Sequence, residues 1–255
     1  MSTYVRVVRQ TTNRLFFGYM LIRNDGAIFQ IGDGMQNHGD GTNTAGATGY
    51  TDYVGGDFTP DGSSYRLIRS NGDVYAFGPQ ANTLNAGSPL ANPIVGLFTD
   101  PSTSSGYWFL DNTGGVATYG TANFWGALTT TNVATMCVRP DGQGYYIIDQ
   151  TGSYWGYGTG TSTGSFTVTA PGHIQPGGEC SPSGNGFTVC DDIGGVYCVG
   201  DATFENSPFG VGQTPLPDFI GSICCSGSGG GYWLSGKSKG GIWTFGDAKF
   251  RGGLS

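Results

Sequence analysis

The chain has 255 residues, of which 48 are glycine, 13% aromatic and only 11% charged, with a net charge of −7. That balance argues against a nucleic-acid groove, which needs clustered Lys and Arg, and gives no general attraction to an anionic membrane. So much glycine in an aperiodic chain would mean disorder, but here the glycines recur at fixed places in a repeat.

The N-terminus carries Arg6, Arg9 and Arg14 and has no uninterrupted apolar stretch of the kind an export signal needs. The run 15–22 is too short to span a bilayer. The expectation is a chain made in the cytoplasm without a signal peptide and without membrane insertion.

Six similar units follow one another. Their first strands are expected over 4–8, 53–58, 94–99, 133–138, 175–180 and 219–225. Pro60, Pro101, Pro140 and Pro182 stand just after four of them, where proline fixes φ for a turn. The second strands carry a signature, clearest in Gly231-Tyr232-Trp233-Leu234 and repeated as Gly106-Tyr107-Trp108-Phe109-Leu110 and Gly144-Tyr145-Tyr146-Ile147-Ile148. Weaker copies are Gly18-Tyr19-Met20-Leu21-Ile22, Ser64-Tyr65-Arg66-Leu67-Ile68 and Gly186-Phe187-Thr188-Val189.

Each signature runs into a hairpin turn ending on Gly26, Gly72, Gly114, Gly152, Gly194 or Gly240, so the spacings are 46, 42, 38, 42 and 46 residues. Thr113, Thr151 and Ile193 disfavour positive φ, so a three-residue loop with only the glycine left-handed is predicted. That register sets Cys190 opposite Val196 and Cys198 opposite Thr188.

The third strands alternate. One face receives Ile28, Val74, Val116, Tyr154, Val196 and Ile242; the other receives Phe29, Tyr75, Ala117, Trp155, Tyr197 and Trp243. A mostly aromatic face can pack on the smaller face of the next unit. An outer, fourth strand is expected after the terminal glycine of each unit, at 122–126, 202–204 and 248–252 most clearly. The connections 33–50, 159–175 and 205–217 are polar or rich in Gly and Pro.

A period of about 43 residues is the mark of a four-stranded blade array. The fold class is therefore all-β, a six-bladed β-propeller with mostly four antiparallel strands per blade, as one domain over 1–255. The blades fall near 1–48, 49–91, 92–130, 131–172, 173–217 and 218–255, with closure between the first and last by face packing; a circularly shifted blade boundary is the alternative. Six cysteines without a Cys-x-x-Cys pair, and only His38 and His173, give no zinc site, so no metal or cofactor is expected. Buried free thiols are expected in preference to disulfides.

The run Gly-Tyr-Trp-Leu, a polar turn, then Gly240-Gly241-Ile242-Trp243-Thr244-Phe245-Gly246-Asp247-Ala248-Lys249-Phe250 resembles a propeller-type repeat of secreted actinobacterial proteins and of minor tail proteins of phages that infect those bacteria. Nearly the whole chain is covered, but only the sixth unit matches closely; the first, second and fourth have lost the Gly-Asp-Ala run in part or whole. The resemblance implies a virion location, a structural and recognition role at a phage tail tip, and docking on other tail proteins with a host cell-wall glycan as a further ligand. A stand-alone glycan-binding propeller is the alternative, and a glycoside hydrolase a more distant one.

A hydrolase needs two carboxylates across a cleft, whereas Asp57, Asp100, Asp141 and Asp149 sit where turn caps are expected, and only Glu179 and Glu205 supply glutamate. Arg23 and Arg69 occupy equivalent positions in adjacent units, which repeat geometry explains without a substrate-binding arginine cluster. The loop 37–43 offers oxygen ligands but lacks the spaced carboxylates of a calcium loop. Catalytic residues are expected to be none. The varying second-strand column, together with Trp125, gives the binding candidates Trp108, Trp125, Trp233, Tyr146 and Arg66, since exposed aromatic and arginine side chains anchor interfaces.

Overall fold

The computed structural model describes residues 2–12, 15–32, 36–81, 90–103, 105–130, 132–169 and 173–254. Arg14 and parts of two expected connections, residues 33–35 and 170–172, lie outside them.

Short runs of branched and aromatic residues between glycine and proline turns form six small sheets, each built from strands consecutive in sequence. Sheet one is β1 (Tyr4–Thr12), β2 (Leu15–Arg23) and β3 (Ile28–Gly32). Sheet two is β4 (Tyr53–Phe58), β5 (Tyr65–Arg69) and β6 (Val74–Phe77). Sheet three is β7 (Ile94–Thr99), β8 (Tyr107–Asp111) and β9 (Val116–Tyr119). Sheet four is β10 (Val133–Val138), β11 (Gly144–Asp149), β12 (Ser153–Gly158) and β13 (Gly164–Ser165). Sheet five is β14 (Glu179–Cys180), β15 (Phe187–Cys190) and β16 (Val196–Val199). Sheet six is β17 (Ile220–Cys225), β18 (Gly231–Gly236) and β19 (Ile242–Gly246). The strands pair antiparallel throughout.

The hairpins follow the predicted register, with Cys190 opposite Val196 and Thr188 opposite Cys198. The six turn glycines have φ between 69° and 96°. In sheet six the loop is one residue longer, since Ser235 pairs with Ile242. All six cysteines are free.

Two expectations need correction. The fourth strand is absent from five of the six sheets among the described residues; β13 is the outer strand of sheet four, and 122–126, 202–204 and 248–252 pair in no ladder. In unit five the first strand is only Glu179–Cys180 in place of 175–180. Pro176 has no N–H to give a ladder, and Gly177 and Gly178 take φ of 108° and 99°, so the chain there bends out of pairing.

The outer segments are instead held by side chains. In sheet three the Trp108 indole N–H donates to the Asn123 carbonyl at 2.8 Å, and from sheet four the Tyr145 hydroxyl donates to Gly126 O at 2.6 Å and accepts from its N–H at 3.1 Å. The same pair recurs at the other end of the chain. Trp233 Nε1 donates to Lys249 O at 3.0 Å, and Tyr19 of sheet one donates to Gly252 O. Tyr65 holds Gly39 O at 2.6 Å and Tyr232 holds Asn206 O. Unit five has Phe187 at the tyrosine position, with no hydroxyl, and the outer segment that would have met it is the one that forms a ladder, β12 with β13. In units one, two, four and six the signature tyrosine is thus a clasp onto the previous unit.

The apolar clusters lie between consecutive sheets, aromatic face on branched face. Ile28 of sheet one meets Tyr75 and Phe77 of sheet two, Val74 meets Ala117 and Tyr119 of sheet three, and Val116 meets Tyr157 of sheet four. Tyr154 meets Tyr197 and Val199 of sheet five, and Val196 meets Trp243 and Phe245 of sheet six. The last cluster joins Ile242 and Trp233 of sheet six to Phe29 and Tyr19 of sheet one. The Tyr4 N–H also donates to Lys237 O at 2.8 Å. Covered on both sides, β8, β11 and β18 are buried along their whole length.

Burial pushes the clasp hydroxyls up, those of Tyr65 and Tyr145 to about 12, with backbone N–H donors opposing, and raises Tyr19 and Tyr232 as well. An unfolded tyrosine ionises near pH 10, so in this window the unfolded chain loses protons that the folded one keeps. The stabilisation is whole below pH ~10 and is lost as pH rises through about 12. In an alkaline titration, tyrosinate absorbance at 295 nm from these residues should therefore rise together with loss of the β-sheet circular dichroism. Reversible ionisation of all tyrosines near pH 10 with the sheet signal intact would contradict the clasp.

Candidate functional site

The first strands of all six sheets face one cavity of about 210 Å³, lined by Arg6, Asp57, Thr99, Val138, Glu179 and Cys224 among others. Five of the strands reach it near their C-terminal ends and β1 near its middle, and the turns at Pro60, Pro101 and Pro140 complete its rim. A second space of about 260 Å³ collects the opposite ends of the first strands, with Val5, Val54, Val95, Ala134 and Gly221. These residues sit at register shifts that recur in five sheets, between Tyr4 and Arg6 in the first and between Ile220 and Ser222 in the last. A bulge there inserts one residue and re-aims its side chain.

In the first cavity, Arg6 comes from β1, is 7% exposed, and places its guanidinium carbon 5.1 Å from the centre of the Phe98 ring on β7. Its Nε has no hydrogen-bond partner, nor has the buried Thr99 hydroxyl. Asp57 accepts the Phe58 N–H at 2.9 Å and, across to sheet three, the Thr99 N–H at 3.1 Å. Its two oxygens therefore tie two sheets together. Cys137, Cys180 and Cys190 are thiols driven up by burial and are not poised as nucleophiles.

Four of the five sequence-predicted binding residues are interior. Trp108, Tyr146 and Arg66 are at most 1% exposed and Trp233 is 2% exposed. None presents a face for stacking on a ligand. The column makes several kinds of interior contact: indole donors reach the outer segment in units three and six, and the Tyr146 hydroxyl donates to Gly184 O at 3.3 Å. Arg66 lies over the Tyr107 ring at 4.8 Å, and burial lowers its pKa against the pull of Tyr107 and Asp57. In unit five, where Thr188 is too short to reach, the Cys198 thiol donates to Thr203 O at 3.2 Å. Trp125 is half-buried, with its indole N–H on Gly142 O at 3.3 Å.

The other motifs resolve into local structure. Asp100, Asp141 and Asp149 cap turns, accepting from Ser102, Gln143 and Thr151 N–H groups at 2.9, 2.9 and 2.8 Å. Arg23 pairs with Asp25, and Arg69 with Asp52 and Asp73. In the loop 37–43, the Asp40 carboxylate takes the Thr42 N–H and hydroxyl at 2.8 and 2.6 Å. Among the described residues there is no group of three or more His, Cys, Asp or Glu that could hold a metal ion.

Sequence reasoning missed a repeated surface feature. Phe124, Phe204 and Phe250 are 58%, 58% and 62% exposed and stand at the same place in units three, five and six, four residues after Gly120, Gly200 and Gly246. The carbonyl just before each is anchored, at Asn123, Thr203 and Lys249. Superposing the six units as sequences would have shown the position; only the structure shows that it faces solvent.

No family model and no curated protein sequence matches this chain. Its structure is similar to the β-propeller domain of Cps50 (Swd1) from Myceliophteria thermophila, with a TM-score of 0.59 and 12% identity over 100% of this chain and 87% of that one. At that identity the likeness establishes a β-propeller fold and nothing about activity.

Proposed function

We propose that this chain is a non-catalytic recognition and docking module: a closed six-bladed propeller, one domain over 1–255, carried on a phage tail as a minor tail protein. The sequence resemblance of its repeat supplies the virion setting, and the packing of sheet six on sheet one supports closure. The observation that carries the docking role is the set of exposed phenylalanines Phe124, Phe204 and Phe250, each on a segment fixed by hydrogen bonds to the sheets. Large apolar side chains held out in water on anchored backbone are what a partner protein buries, because little ordering entropy is left to lose on binding. The partners in this reading are other tail proteins, with a host cell-wall glycan as a second ligand and no nucleic acid.

The glycan reading no longer has Trp108, Trp233, Tyr146 or Arg66 to work with. The hydrolase reading draws on Asp57 and Glu179 lining one cavity. Against it, both oxygens of Asp57 are already engaged by backbone N–H groups.

The test is a triple variant, Phe124→Ser, Phe204→Ser and Phe250→Ser. Its stability should stay within about 0.5 kcal/mol per site of the parent, as for surface changes, while its recovery in purified phage particles, read by mass spectrometry, falls at least tenfold. Unaltered incorporation, a parent chain found only as free monomer outside particles, or hydrolysis of 4-nitrophenyl glycosides would each overturn the proposal.

A further inference from the structure

Arg6 is more than nine-tenths buried, its Nε has no hydrogen-bond partner, and its guanidinium carbon lies 5.1 Å from the centre of the Phe98 ring. A buried guanidinium carries five N–H donors and a permanent charge. Leaving it unpaired costs several kcal/mol by general experience with broken buried pairs. Cations in that position are paired or sit on a ligand. Asp57 and Glu179 line the same cavity. The Thr99 hydroxyl is a second buried, unsatisfied group on the same wall.

The cavity has the size and lining for an occupant. Its volume is about 210 Å³, whereas an apolar cavity of about 150 Å³ takes up benzene. A six-membered ring with a few polar substituents fits. Phe58, Phe98, Pro60, Pro101 and Met136 supply apolar wall, and Arg6 with Thr99 supplies donors. A planar fork of N–H groups matches a carboxylate bidentately.

We propose that this central cavity is a binding site for one small organic carboxylate, up to a single six-membered ring in size, whose carboxylate sits on the Arg6 guanidinium. The site is distinct from the exposed phenylalanines and stands whether or not they dock a partner.

The test is calorimetric titration of the whole chain with acetate, benzoate and D-glucuronate, each beside its neutral counterpart, acetamide, benzamide or D-glucose. At least one carboxylate should bind with a Kd below 10 mM and at least tenfold more tightly than its neutral match, and Arg6→Gln should weaken it at least tenfold. Without ligand, Arg6→Gln and Arg6→Met should melt at or above the parent temperature, because a buried charge with an unmet Nε has been removed. The proposal is overturned if no carboxylate binds in that range, if the neutral match binds equally, or if Arg6→Gln leaves binding unchanged. Misfolding of both variants would also overturn it, by making Arg6 a structural residue.

Discussion

Trp233→Ala should lower unfolding stability by roughly 3–5 kcal/mol, the range for truncating a buried aromatic side chain. Trp233 is 2% exposed and packs in the cluster that joins sheets six and one, with its ring 6.0 Å from that of Tyr19. It is also the donor that holds Lys249 O. The variant therefore opens a cavity and releases the outer segment of sheet six in one step. Denaturant unfolding gives the loss, and trypsin gives the second effect: cleavage after the exposed Lys249 and Arg251 should accelerate in native conditions. Trp233→Phe retains most of the apolar volume and loses the N–H, so a smaller loss of about 1–2 kcal/mol is expected. A loss below about 1 kcal/mol for the alanine variant would mean that the two sheets do not depend on this contact.

Asp191→Ala should be comparably damaging, at roughly 3–5 kcal/mol. The Asp191 side chain is fully buried and accepts the Ile193 and Gly195 N–H groups at 3.1 and 2.6 Å and the Tyr197 hydroxyl at 2.6 Å. Alanine leaves three donors with nothing to meet them, each at about 1–3 kcal/mol. Asp191→Asn keeps an oxygen for the two amides and should recover more than half of the loss, read by the same denaturant titration. Equal loss in both variants would show that the turn does not rest on that oxygen. The arrangement recurs in units three and four, where Asp111 accepts Thr113 and Gly115 N–H groups and Asp149 accepts those of Thr151 and Ser153. In units one and two Arg23 and Arg69 stand in that column, and Asp25 and Asp73 answer them from within the turn.

Much of the fold could be read before any coordinates because the repeat compares the chain with itself. Gly114, Gly152 and Gly194 mark the turns, and the neighbours Thr113, Thr151 and Ile193 exclude a two-residue turn, which sets the strand register to the residue. The candidate site was far less legible. Trp108 and Trp233 read equally well as a stacking surface or as core, since a tryptophan on a strand carries no mark of which side another sheet will cover. Arg6 was one arginine among several, and its unmet Nε is a property of what fails to come near it. The outer strands were expected from extended, glycine-bounded segments, but in units three, five and six those segments are held by the Tyr145, Tyr232 and Tyr19 hydroxyls, each supplied by a different unit.

By itself the sequence determined what is local: the hairpins, their turns and the alternation of fat and thin faces, all fixed by backbone sterics and by side chains within a few residues of one another. The tertiary structure alone decided which side chains are shielded on both sides, which carbonyls the clasp hydroxyls hold, and that the six first strands surround a cavity into which Arg6 brings a buried Nε without a partner. Those outcomes depend on groups tens of residues apart, and burial or isolation exists only once the neighbouring sheets are in place.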